Sequence, residues 1–209
     1  MNTYCIKNVF ESRRGVGIDV FPDDICSEIR TFYVSPSFAK QHCIVNGMSF
    51  DEVLYSQIEE EHLLRIAVFK AADILAGGDH STARLQRKLT EKGISRETAE
   101  KAALYMEERG YIREAESAQR AARFMLESKM RGKKRIMADL LAKGYKKVAV
   151  QSAVNSISKE EYYEALCRNL NSKYKSPAVD RREKEKRVAA MMRQGFDAGD
   201  ILKAMNEEE

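Results

Sequence analysis

Tryptophan is absent from this chain, and proline and histidine occur three times each in 209 residues. So little proline leaves long stretches free to be helical. The four cysteines, Cys5, Cys26, Cys43 and Cys167, are widely and unevenly spaced with no C-x-x-C pair. With so few histidines beside them they do not make a zinc site, and they read as ordinary reduced thiols. No metal or cofactor is expected. An apolar run of about 18 residues, enough to span a bilayer, is missing, and so is an opening basic segment followed by an apolar one. The expectation is a cytoplasmic protein that does not meet a membrane. There is no G-x-x-x-x-G-K loop, G-x-S-x-G elbow, H-E-x-x-H pair or dinucleotide fingerprint, so nothing points to an enzyme.

Two local clusters could suggest chemistry and do not sustain it. Asp79, His80 and Ser81 are consecutive at a helix start, where their side chains diverge and cannot form a nucleophile, base and orienting acid. They read as helix-cap residues. Glu59, Glu60 and Glu61 fan over roughly 200° of one helix, which suits a solvated acidic face better than a metal site.

What is present is a recurrence. Gly93, Gly144 and Gly195 are 51 residues apart. Four residues before them stand Leu89, Leu140 and Met191, and directly after them Ile94, Tyr145 and Phe196. The ninth and tenth residues after each are Ala102-Ala103, Ala153-Val154 and Ala204-Met205. The stripe Ala67, Ala71, Ile74, Leu75 returns 51 residues later as Ala118, Ala122, Met125, Leu126. Fixed-period similarity marks an array of like units stacked on one another. Each unit reads as a long first helix, a second helix ending at the repeat glycine, and a third starting a few residues on. In the first unit the second helix spans about Ser81 to Gly93, with the glycine as left-handed cap, and the third spans Arg96 to Arg109 between Ser95 and Gly110. The third unit is out of step: its stripe Tyr162, Leu166, Leu170 comes about seven residues early, which assigns extra length to a solvated loop over Ser172–Lys186. Glu207–Glu209 reads as a frayed tail. The array predicts several small cores and an elongated molecule.

Residues before the array differ. Val16, Ile18 and Val20 alternate with Gly17, Asp19 and Phe21, Ile29–Val34 is a second β-prone run, and Arg13-Arg14-Gly15 suits a turn, together predicting a small antiparallel meander. Ser35-Pro36 opens a short helix through Gln41. Asn46-Gly47 marks a turn, and Ser49 to Glu52 has capping-box spacing. The expected organisation is residues 1–57 as N-terminal extension, then helical repeats at 58–112, 113–159 and 160–209.

Net charge is +4, but residues 1–60 carry 5 Lys/Arg against 9 Asp/Glu, and residues 61–209 carry 31 against 23. Residues 123–159 hold ten cations, Arg123, Lys129, Arg131, Lys133, Lys134, Arg135, Lys143, Lys146, Lys147 and Lys159, against Glu127 and Asp139. Five of the seven residues Lys129–Arg135 are cationic and lie at the predicted start of a second helix, whose free N–H groups also favour anions. A solvated face is one reading. Contact with a phosphate backbone or an acidic protein surface is the other, favoured because local acids do not balance the run. Aromatics are not interleaved with it, so base stacking has little support. Tyr111 and Tyr145, at helix ends, read as core pins.

Over roughly Glu59–Asn206 the chain resembles the RecX family of RecA regulators. The resemblance is carried by Glu108-Arg109-Gly110-Tyr111-Ile112 with Ala118, by Arg131-Gly132-Lys133-x-Arg135-Ile136 and Leu140-x-x-Lys143-Gly144, and by His80-Ser81, Leu85, Leu89 and Lys92-Gly93. Arg113-Glu114 and Ser117 stand where relatives usually have two acids and an aromatic. The resemblance implies an all-α protein, a tandem array of three three-helix, helix-turn-helix-like modules after a small β-prone extension. It implies a curved rod in the groove of the RecA filament on DNA that modulates RecA, usually by inhibition. The expected partners are then the RecA filament and single-stranded DNA through phosphates, with double-stranded DNA as a further candidate, met by a monomer. Arg84, Arg87, Lys88, Lys129, Arg131, Lys133, Lys134, Arg135, Lys143, Lys146 and Lys147 are the candidate contacts. A helix-turn-helix transcription regulator and a repeat scaffold for another protein remain as alternatives.

Overall fold

The computed structural model describes residues 3–22, 28–176 and 178–207. Cys26, Pro177, Glu208 and Glu209, to which the thiol, loop and tail readings partly refer, lie outside the described residues. Among the described residues the chain is mostly helical behind a small N-terminal sheet, and no helix is long and apolar enough to cross a membrane. It divides into two compact units, Met1–Gly78 with Leu85–Tyr111, and Asp79–Arg84 with Ile112–Glu209.

In the first unit, β1 (Tyr4–Ser12), β2 (Gly15–Pro22) and β3 (Arg30–Val34) form the expected antiparallel meander. Two strands go beyond that expectation. In β1 a register shift between Ile6 and Asn8 interrupts the inside-outside alternation, which hides the strand from a period-two reading. After α1 (Pro36–Gln41), capped by Ser35, the pair Ser49-Phe50 adds β4 to the free edge of β1. The next helix, α2 (Glu52–Ala76), is therefore capped by Asp51, which accepts from Leu54 N at 3.0 Å, and not by Ser49. Ser49 is occupied by strand pairing and Phe50 by the core. Tyr4, Ile6, Ile18, Val20, Phe32, Val34, Phe50, Tyr55 and Ile58 make that core, with Tyr4 and Tyr55 stacked at 4.1 Å. Since Tyr55 and Ile58 belong to α2, the boundary drawn at 57–58 falls inside a helix. Further along α2, Ala67, Ala71 and Ile74 are buried, and α2 packs on α4 (Arg96–Glu108) through Ala99, Ala102, Ala103 and Met106. Glu61 is not simply solvated: it accepts from Ser35 N at 2.9 Å and ties α2 to the end of β3.

The second helices end where the glycines predict. They are α3 (Thr82–Glu91), α6 (Lys133–Ala142) and α9 (Arg181–Arg193), and Gly93, Gly144 and Gly195 follow with φ of 81°, 82° and 92°. Glycine reaches such angles without the steric cost that most side chains carry there. The second unit comprises the first turn of α3 and α5 (Glu114–Lys129), α6, α7 (Lys147–Asn155), α8 (Lys159–Lys173), α9 and α10 (Ala198–Asn206). One continuous apolar core runs through it, including Ala118, Met125, Ile136, Leu140, Val154, Leu166, Leu170, Met191 and Ile201.

The expected loop over Ser172–Lys186 is corrected. Helix α8 continues to Lys173 and α9 begins at Arg181 behind an Asp180 cap, so eight of those residues are helical. Arg187 anchors the connection: 5% exposed, it donates to Ser176 O at 2.7 Å, pairs with Glu183 and lies over Tyr174 at 4.4 Å. The extra length in the third repeat is a longer second helix and not only loop. Tyr145 is a core pin, buried with its hydroxyl 2.9 Å from Ser117 Oγ, whereas Tyr111 is 67% exposed because Ile112 takes the buried position after Gly110.

Candidate functional site

The basic run is bent sharply by the backbone. Helix α5 ends at Lys129, and Met130 adopts a left-handed conformation at φ 46°, with its carbonyl held by Asn169 Nδ2 at 2.7 Å. Gly132 then starts α6. A Cβ there would lie 2.3 Å from the Gly195 carbonyl carbon, so glycine is required by close approach. Gly132 N donates to Gln194 O at 2.9 Å and Lys134 N to Gly195 O at 3.2 Å. The first N–H groups of α6 are thus used inside the fold, which overturns the expectation that this helix start offers them to an anion.

The cations themselves fall into two sets. Asp139 takes both Arg131 and Arg135, the latter at 3.2 Å. Lys134 pairs with Asp197, Lys146 Nζ lies 3.7 Å from Glu114, and Lys133 Nζ donates to Asn155 Oδ1 at 3.0 Å. Three of the five cations of the run are therefore paired with acids, one of them brought in from 63 residues away. Within the other compact unit, Arg87 pairs with Glu91 at 3.7 Å and Lys88 lies on the same helix, α3.

Arg84, Lys129, Lys143 and Lys147 carry no acidic partner among the described residues. Three of them converge. Ser81 Oγ accepts from Arg84 N at 3.2 Å, capping α3, and donates to Lys143 O at 2.9 Å. This sets the first turn of α3 against the end of α6. Burial, and then the charges of Lys129, Arg84 and Arg131, hold the Lys143 ammonium below the usual lysine pKa, against the opposing pull of Asp139. The Arg84 Nε is buried with no hydrogen-bond partner. Lys129 extends over the exposed ring of Phe124 at 5.7 Å. Like charges crowded this way repel one another unless an anion sits among them. Chemically, such an arrangement can attract an anionic group.

Sequence reasoning named all of these cations but missed the groups that sort them. Asp139 is four residues after Arg135, a spacing that signals a helical ion pair. Asp197 and Glu114 gave no local signal. Asp79, read as a cap residue, instead forms a two-point ion pair with Arg120 at 2.7 and 2.9 Å.

The fold and the side-chain geometry thus define a mostly helical protein with a cluster of closely set cations. No family model matches the chain. It is 29% identical over 133 residues to the regulatory protein RecX of Chlorobaculum tepidum (strain ATCC 49652 / DSM 12025 / NBRC 103806 / TLS), a match covering 63% of this chain and 81% of the relative. A crystal structure of regulatory protein RecX superimposes with a TM-score of 0.80 at 19% identity, over 98% of this chain and 100% of that one. That of RecX from Lactobacillus salivarius gives 0.60 at 18% identity, over 69% and 96%. The chain is thus similar in sequence to one RecX regulatory protein, and the two structures show that it shares their fold.

Proposed function

We propose that the protein regulates the RecA recombinase, most simply as an inhibitor, by binding in the groove of the RecA filament on DNA and slowing strand exchange and ATP hydrolysis. It acts by binding and not by catalysis, as a cytoplasmic monomer without cofactor. The three helix triplets α2–α4, α5–α7 and α8–α10 act as three modules, with repeats at 58–112, 113–159 and 160–209 and the N-terminal segment as an accessory to the first.

The observation that carries this reading is the crowd of Arg84, Lys129 and Lys143, whose mutual repulsion an external phosphate or carboxylate relieves. Similarity to RecX regulatory proteins supports the choice of target. In this reading Arg84, Lys129, Lys143 and Lys147 contact the DNA backbone or an acidic RecA surface. Arg131, Lys133, Lys134, Arg135 and Lys146 mainly hold the surface in shape, and Arg87 and Lys88 supply further contacts from the first module. Binding energy then shifts the balance between growing and dissociating filament.

The test is RecA-driven strand exchange and single-stranded-DNA-dependent ATP hydrolysis with increasing amounts of the protein. A graded fall in both is expected. Rates unchanged at a stoichiometric excess over RecA would sink the proposal.

A further inference from the structure

The three repeat glycines build the same turn. Gly93 N, Gly144 N and Gly195 N donate to Thr90 O, Leu141 O and Met192 O at 3.0, 2.9 and 2.9 Å, and the following residues reach back to Leu89 O, Leu140 O and Met191 O. Such a turn leaves the carbonyls just before and at the glycine without a partner inside the helix. At two of the three turns these carbonyls and their surroundings are met by the start of another helix. Gln194 O and Gly195 O accept from Gly132 N and Lys134 N at the start of α6. Lys143 O accepts from Ser81 Oγ at the start of α3, where the Ala83 Cβ lies 3.0 Å from the point a Gly144 Cβ would occupy. Negative carbonyls and the positive end of a helix are complementary.

Among the described residues the third turn is open. Glu91, Lys92 and Gly93 are exposed, and a Cβ on Gly93 would meet nothing within 4 Å. The reason lies in the register. Ser81 and Gly132 each stand 63 residues before the glycine they meet, but the residue 63 before Gly93 is Arg30, which begins β3. The chain has no helix start at that position. Nor does a second copy offer one in the same register: the residue 51 after Gly132 is Glu183, which lies inside α9 with its N–H already bonded to Asp180 Oδ1 at 2.6 Å. The device is closed at α9 and open at Gly93.

We infer that the Lys92-Gly93-Ile94 turn docks the first turn of an α-helix belonging to a partner protein, one begun by a small residue, Ser or Gly. Lys92 favours an acid in that first turn. That the partner is a RecA protomer rests on the function proposed above; the docking chemistry does not.

Two measurements on the full-length protein separate these statements. In the first, the isotope-labelled protein is titrated with a helix-stapled peptide of its own residues 130–142, which contains the Gly132 helix start. Amide shifts are expected at Leu89 to Ile94, and a peptide with Gly132→Val should give none there. Absence of shifts at those amides at millimolar peptide overturns the inference. In the second, Gly93→Asn, which tolerates the left-handed backbone and meets no neighbour, is compared with wild type in co-sedimentation with RecA filaments on single-stranded DNA. Loss of one docking contact should weaken binding about tenfold or more, with unchanged circular dichroism. Equal binding overturns the turn as the RecA contact. Wild type that does not sediment with filaments counts against the RecA reading alone, and the peptide titration still decides the docking.

Discussion

Alanine at each of the three repeat glycines makes a graded experiment in which the backbone term is shared and the packing term is not. All three sit at φ between 81° and 92°, so each Ala pays roughly 1–2 kcal/mol for the left-handed conformation. At Gly93 that is the whole effect, because the new Cβ meets nothing within 4 Å. At Gly144 it comes 3.0 Å from the Ala83 Cβ, a contact relieved by a shift of a few tenths of an ångström. At Gly195 it would stand 2.2 Å from Arg135 N and 2.6 Å from the Arg135 Cβ, which no side-chain motion relieves. The turn must withdraw from α6 and forfeit the bonds from Gly132 N and Lys134 N, each worth about 1 kcal/mol net. The expected order is Gly195→Ala at about 3–5 kcal/mol, then Gly144→Ala, then Gly93→Ala at about 1–2 kcal/mol. Urea unfolding followed by circular dichroism measures the sum, and amide exchange locates the loss in the second unit for Gly195 and the first for Gly93. Equal costs at all three positions, or the largest at Gly93, would refute the argument.

If Arg84, Lys129, Lys143 and Lys147 reach phosphates, log affinity for DNA should fall with log salt at a slope of roughly −2.8 to −3.6, at about 0.7–0.9 per contact; binding indifferent to salt between ~50 and ~200 mM leaves an acidic protein surface as the only target. Replacing Lys129 and Lys147 by Glu should leave stability within about 0.5 kcal/mol while RecA inhibition collapses, whereas Arg135→Glu should destabilise by placing a second carboxylate beside Asp139; thermal melts paired with ATP-hydrolysis titrations distinguish them. His62, whose Nδ1 accepts from Tyr33 N at 2.9 Å, has its pKa lowered by burial and by Arg14, against the opposing Glu59. Its stabilisation is present above the ordinary histidine pKa and lost as pH falls through the lowered value, so the first unit should weaken on acidification and His62→Gln should flatten that dependence; an unaltered pH profile in the variant would remove His62 from the explanation.

The fold was legible wherever a local rule had no tertiary competitor. Glycine at 93, 144 and 195 stops a helix by its own backbone freedom, and Ser95 caps α4 through its own hydroxyl at 3.1 Å from Thr98 N. Both signals lie within four residues of their effect. Ser49 misled because the same four residues satisfy two rules at once. The capping-box pattern pointed to Ser49, but the free edge of β1 claims its backbone and Asp51 supplies an equally good cap two residues later. Likewise Arg181–Lys186 reads as solvated loop on composition, and becomes helix because Asp180 caps it and Arg187 ties it back to Ser176.

Charge is the hardest quantity to read from sequence, since its meaning depends on what the fold brings within 4 Å. Lys129–Arg135 carries five cations in seven residues with no acid among them, yet Lys134 finds Asp197 from 63 residues away and Arg131 shares Asp139 with Arg135. The unbalanced cations lie at the edges of that run and beyond it, at Lys129, Lys143 and, from a different helix, Arg84. Their convergence depends on Ser81, a residue whose sequence signal was only that of a cap. One hydroxyl serves both purposes, since it accepts from the third N–H of α3 while its proton goes to the end of α6. Ser81→Ala should therefore do two things that a cap deletion alone does not: lower stability by about 1–2 kcal/mol, and loosen Arg84 from Lys143 so that DNA affinity falls although no cation has been removed. Ser81→Asp, which can still cap but cannot donate, should restore the first property without the second. If it restores DNA affinity as well, the hydrogen bond to Lys143 is incidental and the cations are held together by the helices alone.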